Sequence, residues 1–221
     1  NPPPVRLVRR YLDEERGVRV WLLLFESWPS HSVPAVMLVP HDVQAGDRLP
    51  AVLHIPGHLA SAFRDPEEQR MSLSLAQQGF VVMSFDPISQ GERRQYPKGS
   101  GLECGIQCTK GKGCRTTGVP CSVAHDHFGR QLWLVGRSAA EIFVQDAQRA
   151  LDVLTGMPMV DQSRIGAVGC SGGGMLTAYL AAVDTRINAA AIACYFSTLE
   201  EELESGTCNY DAEQILWRQA K

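Results

Sequence analysis

The sequence GCSGG at positions 169–173 constrains the fold of this chain most strongly. It follows an apolar run at 164–170 and precedes a helical pattern at 172–183, so it predicts a very tight strand-to-helix turn. On such a turn the serine hydroxyl is exposed near the positive end of the helix, which makes Ser171 a candidate nucleophile. A closely packed glycine turn, or one that binds phosphate, is the alternative. The sequence contains no G-x-x-x-x-G-K-[ST] pattern, which favours the nucleophile.

Strand and helix patterns alternate around this turn. Short apolar runs bounded by turn residues predict strands at 17–25, 34–40, 51–55, 80–85, 164–170 and 188–195. The continuously apolar runs at 80–85 and 188–196 predict buried strands, the first covered on both faces. Helices are predicted at 66–79, 138–154 and 172–183, and a further acidic helix is predicted from about residue 197. The second helix opens with a capping-box pattern, Ser138 and Glu141, and carries one apolar stripe: Phe143, Ala147, Ala150, Leu151 and Leu154. The order favours an α/β fold, a three-layer sandwich with a mostly parallel sheet between helices. We expect a single domain over 1–221.

One segment, 88–136, interrupts this alternation. It is rich in Gly, Cys, Lys and Arg and shows neither helical nor strand periodicity, so it predicts an inserted loop or lid. Four of the seven cysteines lie in it: Cys104, Cys108, Cys114 and Cys121. Disulfides within the insert are the preferred prediction, with free thiols and a zinc site as alternatives, because paired C-x2-C spacing is missing. Disulfides would indicate a secreted or periplasmic protein, and free thiols a cytoplasmic one.

Two cysteines outside the insert flank the turn. Cys170 precedes Ser171 and is predicted to be a small, buried apolar residue. Cys194 follows the last predicted strand, and it could approach either Cys170 or Cys208.

Charge and hydropathy exclude some partners. The net charge is −3, no basic stripe indicates nucleic acid, and no apolar run approaches the roughly 18 residues that span a bilayer. We therefore expect neither nucleic acid nor membrane as a partner. The serine chemistry requires no metal and no organic cofactor.

The sequence HIPGH at 54–58 follows the third predicted strand. Acyl transfer needs two backbone N–H groups directed at the developing oxyanion. The amide of Gly172 is one candidate, and the amide of His58, with Leu59 next, is the other. For the side chains we expect structural roles, with His54 buried and hydrogen-bonded and His58 exposed.

These segments together resemble a known family. HIPGH at 54–58, DPISQGER at 86–93, DAQRALDVL at 146–154 and RIGAVGCSGGG at 164–174 are similar to bacterial α/β-hydrolases of the acetyl xylan esterase and dienelactone hydrolase-related type. The resemblance covers about 48–196 apart from the insert. It implies an α/β-hydrolase fold and hydrolysis of small acyl esters, with a small molecule or an acetylated carbohydrate as substrate. Glu92 and Arg93 are expected to form a structural ion pair rather than to bind substrate.

The order of catalytic residues departs from the superfamily pattern, in which the acid and the histidine follow the serine. All six histidines precede Ser171: His31, His41, His54, His58, His125 and His127. The sheet is therefore expected to be incomplete at its C-terminal side. In that case the catalytic acid and histidine are not present in this chain, and a separate C-terminal fragment could supply them. As an alternative, His125 or His127 could take the place of the missing catalytic histidine.

Other functions also remain open. The domain could be a non-catalytic binding module that uses the same fold. It could also be a peptidase related to prolyl oligopeptidases, although residues 1–47 are too few for the propeller such enzymes carry. The acidic residues near the C-terminus are expected to form a solvated helix face rather than to supply the acid: Glu200, Glu201, Glu202 and Glu204.

Overall fold

The structure is a computed structural model that describes residues 5–96 and 121–196. Its strands are β1 (Val5–Asp13), β2 (Val18–Trp28), β3 (His31–Pro40), β4 (Leu49–Ile55), β5 (Val81–Phe85), β6 (Val160–Cys170) and β7 (Ala189–Ala193). Its α-helices are α1 (Pro66–Gln77), α2 (Cys121–Trp133), α3 (Ala139–Thr155) and α4 (Gly172–Val183), and a short 3-10 turn spans Ala62–Arg64.

The strands form one mixed sheet in the order β1-β2-β3-β5-β4-β6-β7. The pairs β1–β2, β2–β3 and β3–β5 are antiparallel, and the pairs β5–β4, β4–β6 and β6–β7 are parallel. In the parallel half, β4 lies between β5 and β6, so the turns after these strands meet at one edge of the sheet. This is the α/β-hydrolase arrangement that the sequence predicts.

Helices pack on both faces of the sheet. On β2, Val18 and Val20 pack in a small cluster with Ala76 of α1, whereas Leu23 and Phe25 belong to the large core that includes α3 and α4. This separation follows from strand geometry, since side chains alternate between the two faces. All five residues of β5 are buried, as predicted for a parallel strand that is covered on both sides.

Helix α3 confirms the predicted apolar stripe. Its five members are all buried: Phe143, Ala147, Ala150, Leu151 and Leu154. The Ser138 side chain accepts a hydrogen bond from the N–H of Ala140 and caps the helix. Glu141, predicted to complete a capping box, instead pairs with Arg137.

The structure differs from the expected elements at three places. The expectation that 88–136 lacks helical structure is wrong for 121–133, which form α2, whose buried side carries Ala124 with Phe128 and Leu132 partly packed against the core. Strand β1 was not predicted, since its side chains are mostly exposed and no alternating pattern marks it. Strand β7 was expected to be buried but is largely exposed, because among the described residues it pairs with β6 alone.

Some predictions fall on residues outside the described ones. These are the pairing of Cys104, Cys108 and Cys114, the position of Cys208, and the acidic helix from 197. None of the helices in 5–96 and 121–196 combines the length and the apolar character that a membrane crossing requires.

Candidate active site

Ser171 stands on the turn between β6 and α4. Its backbone has φ 56° and ψ −119°, a left-handed conformation that side-chain-bearing residues rarely adopt and that costs about 1–3 kcal/mol. The turn is fixed on both sides: the N–H of Ser171 donates to the carbonyl of Ala193, and its carbonyl accepts from the N–H of Met175, both at 2.9 Å. The strain is therefore maintained by β7 and by the first turn of α4.

Glycines allow α4 to begin this close to the sheet. A β-carbon on Gly173 would lie 2.0 Å from the carbonyl oxygen of Ile55, and one on Gly169 would lie 2.4 Å from the backbone of Gly173. One on Gly174 would lie 2.4 Å from the carbonyl oxygen of Ala193. The spacing of glycines in the sequence thus reflects contact between the N-terminus of α4 and the ends of β4 and β7.

The turn after β4 carries the second predicted group. The Gly57 N–H donates to Oε1 of Glu68 at 3.0 Å, and Nε2 of Gln90 donates to the carbonyls of Gly57 at 2.6 Å and Leu59 at 2.9 Å. The N–H of Leu59 turns back to the Gly57 carbonyl at 2.7 Å. This bond disfavours Leu59, the second-ranked candidate, as an oxyanion donor.

The structure brings His58 and Gly172 together. A β-carbon on Gly172 would lie 2.7 to 2.8 Å from three atoms of the His58 imidazole, so the ring packs directly on this glycine. The prediction that the His58 side chain is exposed is therefore wrong: the residue is only partly accessible, and burial lowers the pKa of its imidazole to about 4. This contact could not be predicted from the sequence, because it forms only where the N-terminus of α4 meets the turn after β4 in the folded chain.

A second imidazole lies behind the first. The His125 ring, on α2, lies 5.1 Å from the His58 ring and 4.9 Å from the Phe143 ring, and its Nε2–H donates to the Ile88 carbonyl at 2.8 Å. The pKa of His125 is lowered to about 3, mainly by burial and to a smaller extent by the electrostatic effect of the neighbouring His58. Both imidazoles are neutral at pH 7 and are weak proton acceptors. His127, the other residue considered as a substitute base, packs edge-on against the ring of Tyr96.

His54 is buried and hydrogen-bonded, which confirms its predicted structural role. Its Nδ1 lies 2.7 Å from Oγ of Ser72, and its Nε2 lies 2.8 Å from Oε2 of Glu68. Burial opposes ionisation of Glu68, but the hydrogen bonds from His54 and from the Gly57 N–H outweigh it, and the pKa of Glu68 is lowered. The Glu68 carboxylate thus connects His54, near the end of β4, with Gly57 in the loop that follows.

The 86–93 loop folds around a buried carboxylate. Asp86 accepts hydrogen bonds from Arg64 at 2.8 and 3.0 Å and from the N–H of Glu92 at 2.9 Å. Burial raises the pKa of Asp86 despite these bonds. Gly91 has φ 56°, and a β-carbon on it would lie 2.2 Å from the Asp86 carboxyl. Gly91 therefore lies where the loop backbone passes closest to the Asp86 carboxyl, and a side chain would not fit there.

Glu92 and Arg93 have structural roles, but each forms an ion pair with another residue rather than with its neighbour. Glu92 pairs with Arg64 at the surface. Arg93 is buried, donates to Asp146 of α3 at 2.6 Å and to the Asp86 carbonyl at 2.9 Å, and also contacts His31. Arg93 thus fastens the loop to β3 and α3.

The prediction that Cys170 is buried is wrong, since this last residue of β6 is exposed. It lies opposite Ala193 in the sheet register, beside Cys194, which is also exposed. The hydrogen bond with Cys194, together with burial, raises the pKa of the Cys170 thiol. Cys170 thus lies beside Cys194, as one of the two expectations has it, and Cys208 lies outside the described residues.

Glu68 and Gln90 were not singled out from the sequence. Glu68 is one of two acidic residues in the first turn of α1, where carboxylates are ordinary. Gln90 lies inside the 86–93 segment and is buried, with 1% of its surface exposed. A glutamine in a loop gives no sign of burial, so only the fold reveals it.

The acetyl xylan esterase (AXE1) family model matches residues 5–210. An uncharacterized protein of Pseudomonas aeruginosa is 26% identical over 146 residues, which are 66% of this chain and 29% of that protein. A putative acetyl xylan esterase from Bacteroides fragilis has a TM-score of 0.63 at 19% identity, over 86% of this chain and 48% of that one. Acetyl xylan esterase 1 from Thermoanaerobacterium sp. has a TM-score of 0.61 at 20% identity, over 98% of this chain and 60% of that one.

This chain spans less than two thirds of the length of each of these three relatives. The structural matches share the α/β-hydrolase fold with it, and the family model covers most of its length. The chain therefore belongs to the acetyl xylan esterase (AXE1) family.

Proposed function

We propose that the protein hydrolyses carboxylic esters by a two-step acyl transfer with Ser171 as the nucleophile. The observation that carries the proposal is the strained conformation of Ser171 at a strand-to-helix turn, immediately beside the His58–Gly172 contact. A serine in this conformation lifts its Oγ above the sheet edge, in the geometry of a nucleophile elbow. Family membership supports ester hydrolysis as the reaction class.

In the first step, Oγ of Ser171 attacks the ester carbonyl carbon while its proton passes to a general base, which then gives the proton to the alcohol oxygen as the bond between that oxygen and the acyl carbon breaks. In the second step, the base takes a proton from water, the water oxygen attacks the acyl carbon, and the proton returns to Oγ of Ser171 as the carboxylic acid is released. The N–H groups of Gly172 and His58 bind the oxyanion in both steps. The N–H of Gly172 also lies at the N-terminus of α4, where the helix dipole favours negative charge.

The general base is proposed to be a histidine, paired with an acid, that follows Ser171 in the superfamily order and lies outside these 221 residues. His58 and His125 are unsuited to this role, because their lowered pKa values make them weak bases. A C-terminal segment that completes the site is therefore part of the proposal.

The proposed substrates are esters of short acyl groups, with acetylated carbohydrate as the leading candidate. The space beside Gly172 is lined mainly by ring and apolar side chains, including Pro56, His58, Phe143 and Met175. The described residues leave little free volume there, which disfavours a long acyl chain. The similarity to acetyl xylan esterases supports the same substrate class.

The test is covalent labelling of the full-length protein with a fluorophosphonate, followed by mass spectrometry. We expect labelling at Ser171 that Ser171→Ala abolishes. Ser163→Ala is the matched control, because Ser163 is exposed near the other end of the same strand, and its labelling should equal that of the parent. A parent protein that takes up no label at Ser171 would overturn the proposal and favour a binding module.

Initial rates on p-nitrophenyl acetate, butyrate and octanoate test the acyl size. We expect the acetate to give the highest kcat/KM. A higher value for the octanoate would contradict the small-acyl proposal, and cleavage of a chromogenic peptide in preference to all three would favour a peptidase.

A further inference from the structure

The side chain of Gln90 is buried against the turn that carries His58. Its carboxamide nitrogen lies 2.6 Å from the Gly57 carbonyl oxygen and 2.9 Å from the Leu59 carbonyl oxygen, so one NH2 group bonds two carbonyls of one turn. Only 1% of Gln90 is exposed. Burial of a carboxamide is unfavourable unless its hydrogens are bonded, and here both have acceptors.

The geometry of the peptide bond gives this contact a directional consequence. The Gly57 carbonyl and the His58 N–H belong to the same peptide group, and in a trans peptide they point in opposite directions. The Gly57 carbonyl also accepts the Leu59 N–H at 2.7 Å, so Gln90 and this bond within the turn together determine where the His58 N–H points. Gly57 has no side chain to restrict rotation of this peptide, so the orientation depends on its hydrogen bonds.

Glu68 acts on the opposite side of the same glycine. Its Oε1 accepts the Gly57 N–H at 3.0 Å, while its Oε2 is bound to His54. Glu68 thus binds the start of the turn, and Gln90, together with the Leu59 N–H, holds the peptide that follows.

Gln90 is itself firmly placed. Its N–H donates to the Pro87 carbonyl at 3.1 Å, and its carbonyl accepts the Arg93 N–H at 2.9 Å. The loop that carries it is fastened by the buried pair of Arg93 and Asp146. The carboxamide therefore has little freedom to follow the turn if the turn moves.

We propose that Gln90 is a positioning residue that directs the His58 N–H at the oxyanion of the acyl transfer. This proposal rests on the proposed function, because it assigns a purpose to the orientation of that amide. Gln90 touches no reacting atom and acts through the Gly57–His58 peptide.

The experiment compares Gln90→Met and Gln90→Glu in the full-length protein on p-nitrophenyl acetate. Removal of one oxyanion donor costs roughly 100- to 1,000-fold in kcat, and we expect its misorientation in Gln90→Met to cost roughly 10- to 100-fold with KM within about twofold. The matched control is Gln145→Met. Gln145 also donates to a backbone carbonyl, that of Ser27 at 3.1 Å, but it lies on α3 rather than in the 86–93 loop.

Gln90→Glu supplies a readout that a purely structural role would not move. The introduced carboxylate faces two carbonyls and can donate no hydrogen bond, whereas the protonated carboxyl can donate one. We expect the kcat of Gln90→Glu, relative to the parent, to rise as the pH is lowered. Gln90→Met should show no such rise.

The outcomes separate this proposal from the proposed function. If the parent hydrolyses ester through Ser171 but Gln90→Met keeps its kcat, or loses activity only through KM, the positioning role is wrong and the function stands. If the parent shows no hydrolysis that depends on Ser171, the proposed function fails. The carbonyl 13C shift of Gly57 then decides the structural part: a shift that is the same in the parent, Gln90→Met and Gln145→Met overturns it.

Discussion

At the scale of single residues, the candidate site depends on where side chains are absent. Gly172 leaves room for the imidazole of His58, and Gly173 leaves room for the carbonyl of Ile55. The two neighbours differ in kind: an imidazole can rotate away, whereas a strand carbonyl cannot without disturbing the sheet. We therefore expect Gly172→Ala and Gly173→Ala to affect stability differently.

We predict that Gly172→Ala lowers the free energy of unfolding by roughly 1–3 kcal/mol, as overpacking does, and that His58→Ala in the same chain relieves most of the loss. Gly173→Ala should cost more, and His58→Ala should not relieve it, because the clash is with backbone. Urea unfolding of the single and double variants measures both. Equal relief of the two glycine variants by His58→Ala would contradict the packing described here.

The sequence predicted some of these residues and not others. Ser171, Gly172 and the turn at His58 could be placed together, because parallel strands bring the turns that follow them to one sheet edge. The burial of the His58 ring, the exposure of Cys170, and the roles of Glu68 and Gln90 could not. They depend on contacts between loops that are distant in sequence, and no local pattern encodes those contacts.

At the scale of secondary-structure elements, a helix or strand could be predicted from the sequence when its buried face was wide and apolar. Helix α3 has a broad stripe of five apolar residues, and it was predicted correctly. Helix α2 was missed, because its inner side is mixed in character: the polar His125 is buried there beside apolar residues such as Ala124 and Phe128. Strand β1 was missed because neither of its faces is buried, so its sequence shows no alternation of apolar and polar residues.

The N-terminus of α3 provides a test at this scale. Ser138→Ala should lower the free energy of unfolding by about 1 kcal/mol, since the N–H of Ala140 loses its acceptor, and Ser138→Asp should retain most of the stability. Glu141→Ala should cost no more than about 0.5 kcal/mol, because Glu141 pairs with exposed Arg137 rather than completing the cap. Thermal unfolding of the three variants checks this. Equal losses for Ser138→Ala and Glu141→Ala would point to a complete capping box in solution.

At the scale of the whole molecule, two adjacent buried imidazoles link folding to pH. The pKa values of His58 and His125 are lowered to about 4 and about 3, from an ordinary value of 6.5. Below pH 6.5 the unfolded chain takes up protons on these residues that the folded chain does not. The stability from keeping them neutral is therefore fully present above pH 6.5 and decreases as the pH falls towards 4.

We predict that the free energy of unfolding falls between pH 6.5 and pH 4, with each of these histidines contributing up to about 1.4 kcal/mol per pH unit. His125→Gln, which keeps a donor for the Ile88 carbonyl, should make this slope shallower. His127→Gln, a change two residues away on the same helix, should leave it unchanged. Denaturant unfolding across the pH series measures the slopes, and parallel curves for all three proteins would rule out this origin of the pH dependence.

The left-handed backbone at Ser171 also bears on how such a chain is selected. A glycine at this position would adopt φ 56° without strain, so the serine lowers stability by an amount that matters to a marginally stable fold. Selection for stability alone would favour the residue without a hydroxyl. Under the proposed function, the serine at this position reflects a compromise between stability and activity: the fold loses part of its stability, and the nucleophilic oxygen is held above the sheet edge.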